Sequence, residues 1–179
     1  EATPILFLLF LTKKPMKRLY LIRHAKSSQD ISGIKDKERP LSKRGKREVE
    51  YIGKRLKKRG IVAQALYSSP AKRALDTARL IAKKISFPRK KIKVVPSIYD
   101  SDIPQLLKVV KNIDDKVESA VIFGHNPEFL SLVNYLTPRS IKEFPVCGVF
   151  GIDFNINSWR SLPRKKGKMA FFDSPKKDI

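Results

Sequence analysis

Two short apolar runs, each ending on a histidine, constrain the fold of this chain more than any other feature. Leu19-Tyr20-Leu21-Ile22 leads into Arg23-His24, and Ala120-Val121-Ile122-Phe123-Gly124 leads into His125-Asn126-Pro127. Unbroken apolar runs of β-forming residues describe strands covered on both faces, the condition of a central parallel sheet. In such sheets ligands bind beyond the carboxyl ends of the strands, where the connecting loops splay apart. The chain has only two histidines, so both stand at that edge. A third segment repeats the pattern: a β-prone stretch turns at Ser68-Ser69-Pro70-Ala71, and Arg73 falls in the first turn of the following helix.

The remaining elements alternate between the two periods. Ser42 reads as the N-cap of a helix that carries Val49, Ile52 and Leu56 on one face and closes at Gly60. Residues 61–67 form the next strand. Pro70 then opens a helix whose stripe is Ala71, Ala74, Leu75, Ala78, Ile81, Ala82 and Ile85, with Arg73 off that stripe and free to reach the crevice. Residues 92–95 form a strand closed by Pro96. Pro104 begins a helix with Ile103, Leu106, Leu107 and Val110, and Pro127 begins one with Leu130, Val133 and Leu136. Such alternation predicts an α/β fold with a mostly parallel central sheet. Residues 149–156, 159–162 and 169–172 read as antiparallel additions from the C-terminal segment, and residues 174–179 as a frayed end.

The chain of 179 residues fits a single domain, expected over 16–179. Residues 1–15 read as a non-core extension, with Met16 as the expected native start. The apolar tract at the N-terminus is too short to span a bilayer and lacks a preceding basic region, so no membrane association is expected. Cys147 is the only cysteine, which excludes an intrachain disulfide and fits a reducing cytoplasm. No Cys/His cluster has metal-ligand spacing, so no metal is expected. Lysine and arginine outnumber acids 39 to 17, for a net charge of +22. The resulting field attracts phosphorylated substrates, acidic proteins or nucleic acid alike. The basic residues of the helix after Ser42 read as a solvated face, and nucleic acid is not the expected partner.

Arg23-His24-Ala25, Ser68-Ser69-Pro70 with Arg73, and Gly124-His125-Asn126-Pro127 together resemble the signature segments of the histidine phosphatase superfamily, the phosphoglycerate mutase-like fold. The Arg-His-Ala-Lys opening and Arg39-Pro40-Leu41-Ser42 with Gly45 are similar to the small SixA-type phosphohistidine phosphatases. The resemblance implies a three-layer α/β/α domain and a cofactor-independent reaction. It makes His24 the nucleophile that forms a phosphohistidine enzyme, and Arg23, Arg73 and His125 the residues that hold the phosphoryl group. Lys26, Ser27 and Asn126 adjoin this pocket as candidate substrate donors.

Forked guanidinium donors match phosphoryl oxygens, and nearby positive charge favours the neutral imidazole a nucleophile needs. One departure from the family pattern bears on substrate. Where ester-cleaving relatives carry a glutamate after the third strand, Pro96 is followed by Ser97-Ile98-Tyr99. Asp100 and Asp102 are the candidate acids in that loop. An alkoxide leaving group needs a proton, and imidazole leaves far more readily. The expected substrate is therefore a phosphorylated protein, phosphohistidine in particular, and the expected protein a monomer. The alternatives are a small phosphomonoester as substrate, or a basic phosphate-binding module without turnover.

Overall fold

The computed structural model describes residues 16–28 and 32–175. The expectations for residues 1–15 and 176–179 lie outside these. Six strands form one sheet: β1 (Lys17–Arg23), β2 (Ala65–Ser68), β3 (Lys93–Val94), β4 (Ser119–Gly124), β5 (Val149–Phe154) and β6 (Lys168–Asp173). Their order is β3-β2-β4-β1-β5-β6. The first four are mutually parallel; β5 runs antiparallel to β1, and β6 antiparallel to β5.

The helices α1 (Lys43–Lys58), α2 (Lys72–Lys84), α3 (Ile103–Lys111) and α4 (Glu128–Leu136) cover both faces. Side chains alternate across a strand, so the run in β1 divides between two cores. Tyr20 and Ile22 pack with Val49, Ile52 and Leu56 of α1 and with Ala78, Ile81 and Ala82 of α2. Leu19 and Leu21 pack on the opposite face with Leu106 and Val110 of α3 and with Phe129, Leu132 and Val133 of α4. The three-layer α/β/α architecture is thus the expected one. Small alanines along α2 let that helix approach the sheet closely.

Local chemistry sets the helix starts. The Ser42 hydroxyl accepts from the Gly45 amide at 3.0 Å, and Asp102 with Gln105 forms a reciprocal capping box on α3.

Three details differ from the sequence reading. Residues 159–162 do not pair with β5: Trp159–Ser161 is a 3₁₀ turn. Its indole Nε1 donates to the Val117 carbonyl at 2.8 Å, and its amide donates to Asp115 Oδ1 at 2.8 Å. A buried tryptophan needs a partner for its N–H, and the loop before β4 supplies one. Second, residues 61–64 precede β2 rather than belonging to it; the Gln64 side chain accepts from the Ser119 amide instead. Third, Ser174 and Pro175 are buried rather than frayed.

Register decides what the sheet presents at its carboxyl edge. Arg23 of β1 lies opposite Gly124 of β4, and Ser68 of β2 lies opposite Phe123. The exits of β2, β4 and β1 are therefore adjacent and level.

Candidate active site

Backbone hydrogen bonds continue the register one residue past the strands. The His24 amide donates to the Gly124 carbonyl at 3.0 Å, and the Ser69 amide to the Phe123 carbonyl at 3.0 Å. The two imidazoles consequently face each other, with ring centroids 5.1 Å apart.

His24 Nδ1 lies 2.8 Å from the Ala25 carbonyl. A carbonyl can only accept, so Nδ1 carries the proton and Nε2 carries the lone pair. Arg73, at the start of α2, aims its Nε at that Nε2 from 3.3 Å. Burial first, and then the charges of Arg73, Arg23 and Arg39, push the His24 pKa down to about 4 against the opposing carbonyl bond. The ring is neutral at physiological pH.

His125 is fixed through its other nitrogen. Nε2 is 2.7 Å from the Ser69 hydroxyl, while Nδ1 is buried without a partner among the described residues. Burial, then His24 and Arg73, push its pKa down to about 3. Arg23 donates Nη1 to the Phe144 carbonyl at 2.8 Å, and its buried Nε has no partner among the described residues. Asn126 Nδ2 donates to the same Phe144 carbonyl at 2.9 Å. Asn126 thereby helps to fix the loop that holds Arg23, and its buried Oδ1 has no partner among the described residues. Unpaired buried polar atoms are costly. Those of Arg23, His125 and Asn126 belong to residues at or just past the ends of β1 and β4.

The other sequence candidates are placed differently. Lys26 acts through its backbone: its amide donates to Glu48 Oε2 at 3.3 Å, and its carbonyl accepts from the Ser42 hydroxyl at 3.0 Å. The Ser27 hydroxyl accepts from Arg39 at 3.0 Å. Asp102 is engaged as the α3 cap, with its Oδ1 accepting from the Gln105 amide at 2.8 Å; a carboxylate spent on a helix end is a poor proton donor. Asp100 is exposed and makes no hydrogen bond to either histidine.

A different carboxylate reaches the site. Asp36, in the 3₁₀ turn Asp36–Glu38, accepts from Arg73 Nη2 at 2.9 Å, Arg39 Nη1 at 2.8 Å and the Tyr99 hydroxyl at 2.9 Å. Burial would raise its pKa, but the bonds from Tyr99, Arg73 and Arg39 prevail and hold it at about 2. The Tyr99 ring meets His125 edge-on at 5.7 Å. Thr77 ties the parts together: its buried hydroxyl accepts from the Ala25 amide at 3.1 Å and donates to the Arg73 carbonyl at 2.7 Å.

Asp36, Arg39, Ser69, Thr77 and Tyr99 were not singled out as site residues in the sequence. The Asp36/Arg39 spacing was a visible signal for a local ion pair, but not for its meeting Arg73. Among the described residues, no cluster of His, Cys, Asp or Glu offers a metal site. No described helix is long and apolar enough to cross a membrane.

A neutral imidazole whose lone pair faces Arg73, with the charges of Arg23 and Arg39 also acting on it at the carboxyl edge of an α/β sheet, is an arrangement that can take a tetrahedral oxyanion. Residues 19–103 match the histidine phosphatase superfamily (branch 1). An uncharacterized chloroplastic protein of Arabidopsis thaliana is 28% identical over 151 residues, 80% of this chain and 69% of that one. The protein histidine phosphatase SixA complexed with tungstate shares the fold with a TM-score of 0.76 at 20% identity, over 88% of this chain and 97% of that one. A structure assigned as phosphohistidine phosphatase SixA from Agrobacterium tumefaciens gives 0.75 at 22% identity, over 89% and 98%. Just under half of the chain is thus similar to the histidine phosphatase superfamily, and the fold is the one shared by the SixA structures.

Proposed function

We propose that this protein hydrolyses phosphohistidine on a protein partner through a phosphorylated His24. The observation that carries the reading is the His24 ring itself, with Nδ1–H bonded to the Ala25 carbonyl and Nε2 turned toward Arg73. In the first step Nε2 attacks phosphorus in line, the substrate's P–N bond breaks, and the departing imidazole takes a proton from solvent. In the second step water attacks the phosphorus on His24. The P–N bond to Nε2 breaks, and inorganic phosphate leaves. Arg23, Arg73 and His125 Nδ1 serve as the donors for the transferring oxygens, whose charge shifts through both transition states. For His125 to donate from Nδ1 its proton must reside there, and a bound phosphate dianion favours that form.

Two features favour an N–P over an O–P substrate. The carboxylate at the site, Asp36, is held ionised by three donors, so it has no proton for an alkoxide. The path from β2 to β4 contains only α2, β3, α3 and short turns, so that path places no large cap over the mouth, which favours a side chain on another protein as substrate.

The test is phosphate release from a phosphohistidine-bearing protein and from an aryl phosphate, with wild type and His24→Ala, with and without chelator. We expect chelator-resistant release that favours the phosphoprotein and falls at least ~10³-fold in the variant. Release from the aryl phosphate alone would retain the nucleophile and overturn the substrate. Absence of release from both would leave a phosphate-binding module.

A further inference from the structure

Asp36, in the 3₁₀ turn Asp36–Glu38, lies outside the strand exits and is not needed as an acid or a base. A guanidinium group has two edges that can each make a pair of parallel hydrogen bonds: the Nη1/Nη2 end and the Nε/Nη2 side. In Arg73 the end is fully taken by a single residue. Nη1 donates to the Asp36 carbonyl at 2.7 Å, and Nη2 donates to Asp36 Oδ2 at 2.9 Å. The side edge is thereby directed at the nucleophile, with Nε 3.3 Å from His24 Nε2. Arg73 Cα is itself fixed by α2, so with its end clasped the guanidinium plane has little freedom left. Asp36 is in turn held by Arg39, which also donates to the Ser28 carbonyl at 3.0 Å and to the Ser27 hydroxyl at 3.0 Å. The Tyr99 hydroxyl closes the far side of the carboxylate.

We infer that Asp36 is a positioning residue for the phosphoryl-transfer pocket, clasping one edge of Arg73 so that the other stands ready beside His24 for two oxygens of a bound phosphoryl group. A flexible arginine would have to be ordered each time substrate arrives, and that ordering would be subtracted from binding. A clasped one is ordered beforehand, which is how fixed donors become effective in catalysis. The carboxylate keeps its place because its partners hold it ionised across the working pH range.

This inference rests on the phosphate-pocket reading of the site, so its test includes a measurement that needs no turnover. Tungstate binding is measured by calorimetry for wild type, Asp36→Ala, Asp36→Asn and Arg73→Lys, and for Arg73→Lys combined with Asp36→Ala; kcat and KM on the aryl phosphate and the phosphoprotein accompany it. We expect Asp36→Ala to weaken tungstate at least ~10-fold and to lower kcat on any substrate that wild type turns over. Asp36→Asn keeps an oxygen acceptor for Nη2 and should recover most of the loss. In the Arg73→Lys background, where no two-edged group remains to clasp, Asp36→Ala should cost less than about 2-fold further.

Tighter tungstate binding in Asp36→Ala would overturn the inference, because it would make Asp36 a competitor of the anion. Equal, additive losses in the wild-type and Arg73→Lys backgrounds would also overturn it, because Asp36 would then act independently of Arg73. A wild type that binds tungstate but releases no phosphate would remove the enzymatic reading and leave the Arg73–Asp36 coupling measurable.

Discussion

The two imidazoles differ in what fixes them, and the difference assigns their atoms. His24 is oriented by a carbonyl one residue away, a local interaction that leaves Nε2 for chemistry. His125 is oriented by a hydroxyl from another strand exit, which leaves Nδ1. Both rings are depressed by burial first and by neighbouring charge second, to about 4 for His24 and about 3 for His125. Because the chain has only two histidines, imidazole NMR reads each without ambiguity. Both should remain neutral from pH 8 down to pH 5, with His24 in the Nδ1–H form; titration of either near its ordinary pKa would contradict the site described here. At this scale the sequence was legible for residue types. Arg23, His24, Arg73 and His125 stood out by their positions at strand ends and helix starts. Asp36 did not, because its role depends on a loop returning across the site, and no local periodicity encodes such a return.

At the scale of elements, the loop after His24 and the start of α1 join backbone to backbone. The Ser42 amide and hydroxyl both donate to the Lys26 carbonyl, at 2.9 and 3.0 Å. A Cβ on Gly45 would lie 2.0 Å from that same carbonyl oxygen. The glycine is required by this close approach of backbone to backbone, since its position inside α1 would otherwise favour alanine. Gly45→Ala should therefore destabilise the protein by about 1–3 kcal/mol in urea unfolding, as overpacking does elsewhere. It should also lower activity in the folded fraction, because the displaced carbonyl lies two residues from His24. Unchanged stability would show that α1 can shift without cost. The helices themselves were readable from their apolar stripes and from the Ser42 cap; Asp102 read as a candidate acid, and the structure shows it as the cap of α3. Residues 159–162 were misread as a strand because the decisive partner of Trp159, the Val117 carbonyl, is remote in sequence.

For the whole molecule, the buried neutral histidines link stability to pH. Above pH 6.5 both are neutral in the folded and unfolded chains and add no pH dependence. Below it the unfolded chain takes up protons that the folded chain refuses until about pH 4 at His24 and about pH 3 at His125. Unfolding free energy should fall with acidification by up to about 1.4 kcal/mol per pH unit for each ring. Urea unfolding at pH 7.5, 6 and 5 measures this, and His24→Asn should flatten the slope. A stability independent of pH over that range would contradict the burial of neutral rings.

The sequence by itself determined the α/β class, the parallel strands, the helix starts and the arrival of an arginine and two histidines at strand ends. All of these follow from period, capping and the absence of charge in short apolar runs, which are local properties. The tertiary structure alone decided that β4 lies between β2 and β1, that Ser69 holds His125, and that Asp36 clasps Arg73. Those depend on strand order and on side chains meeting across long separations, where packing and hydrogen-bond satisfaction choose the partner.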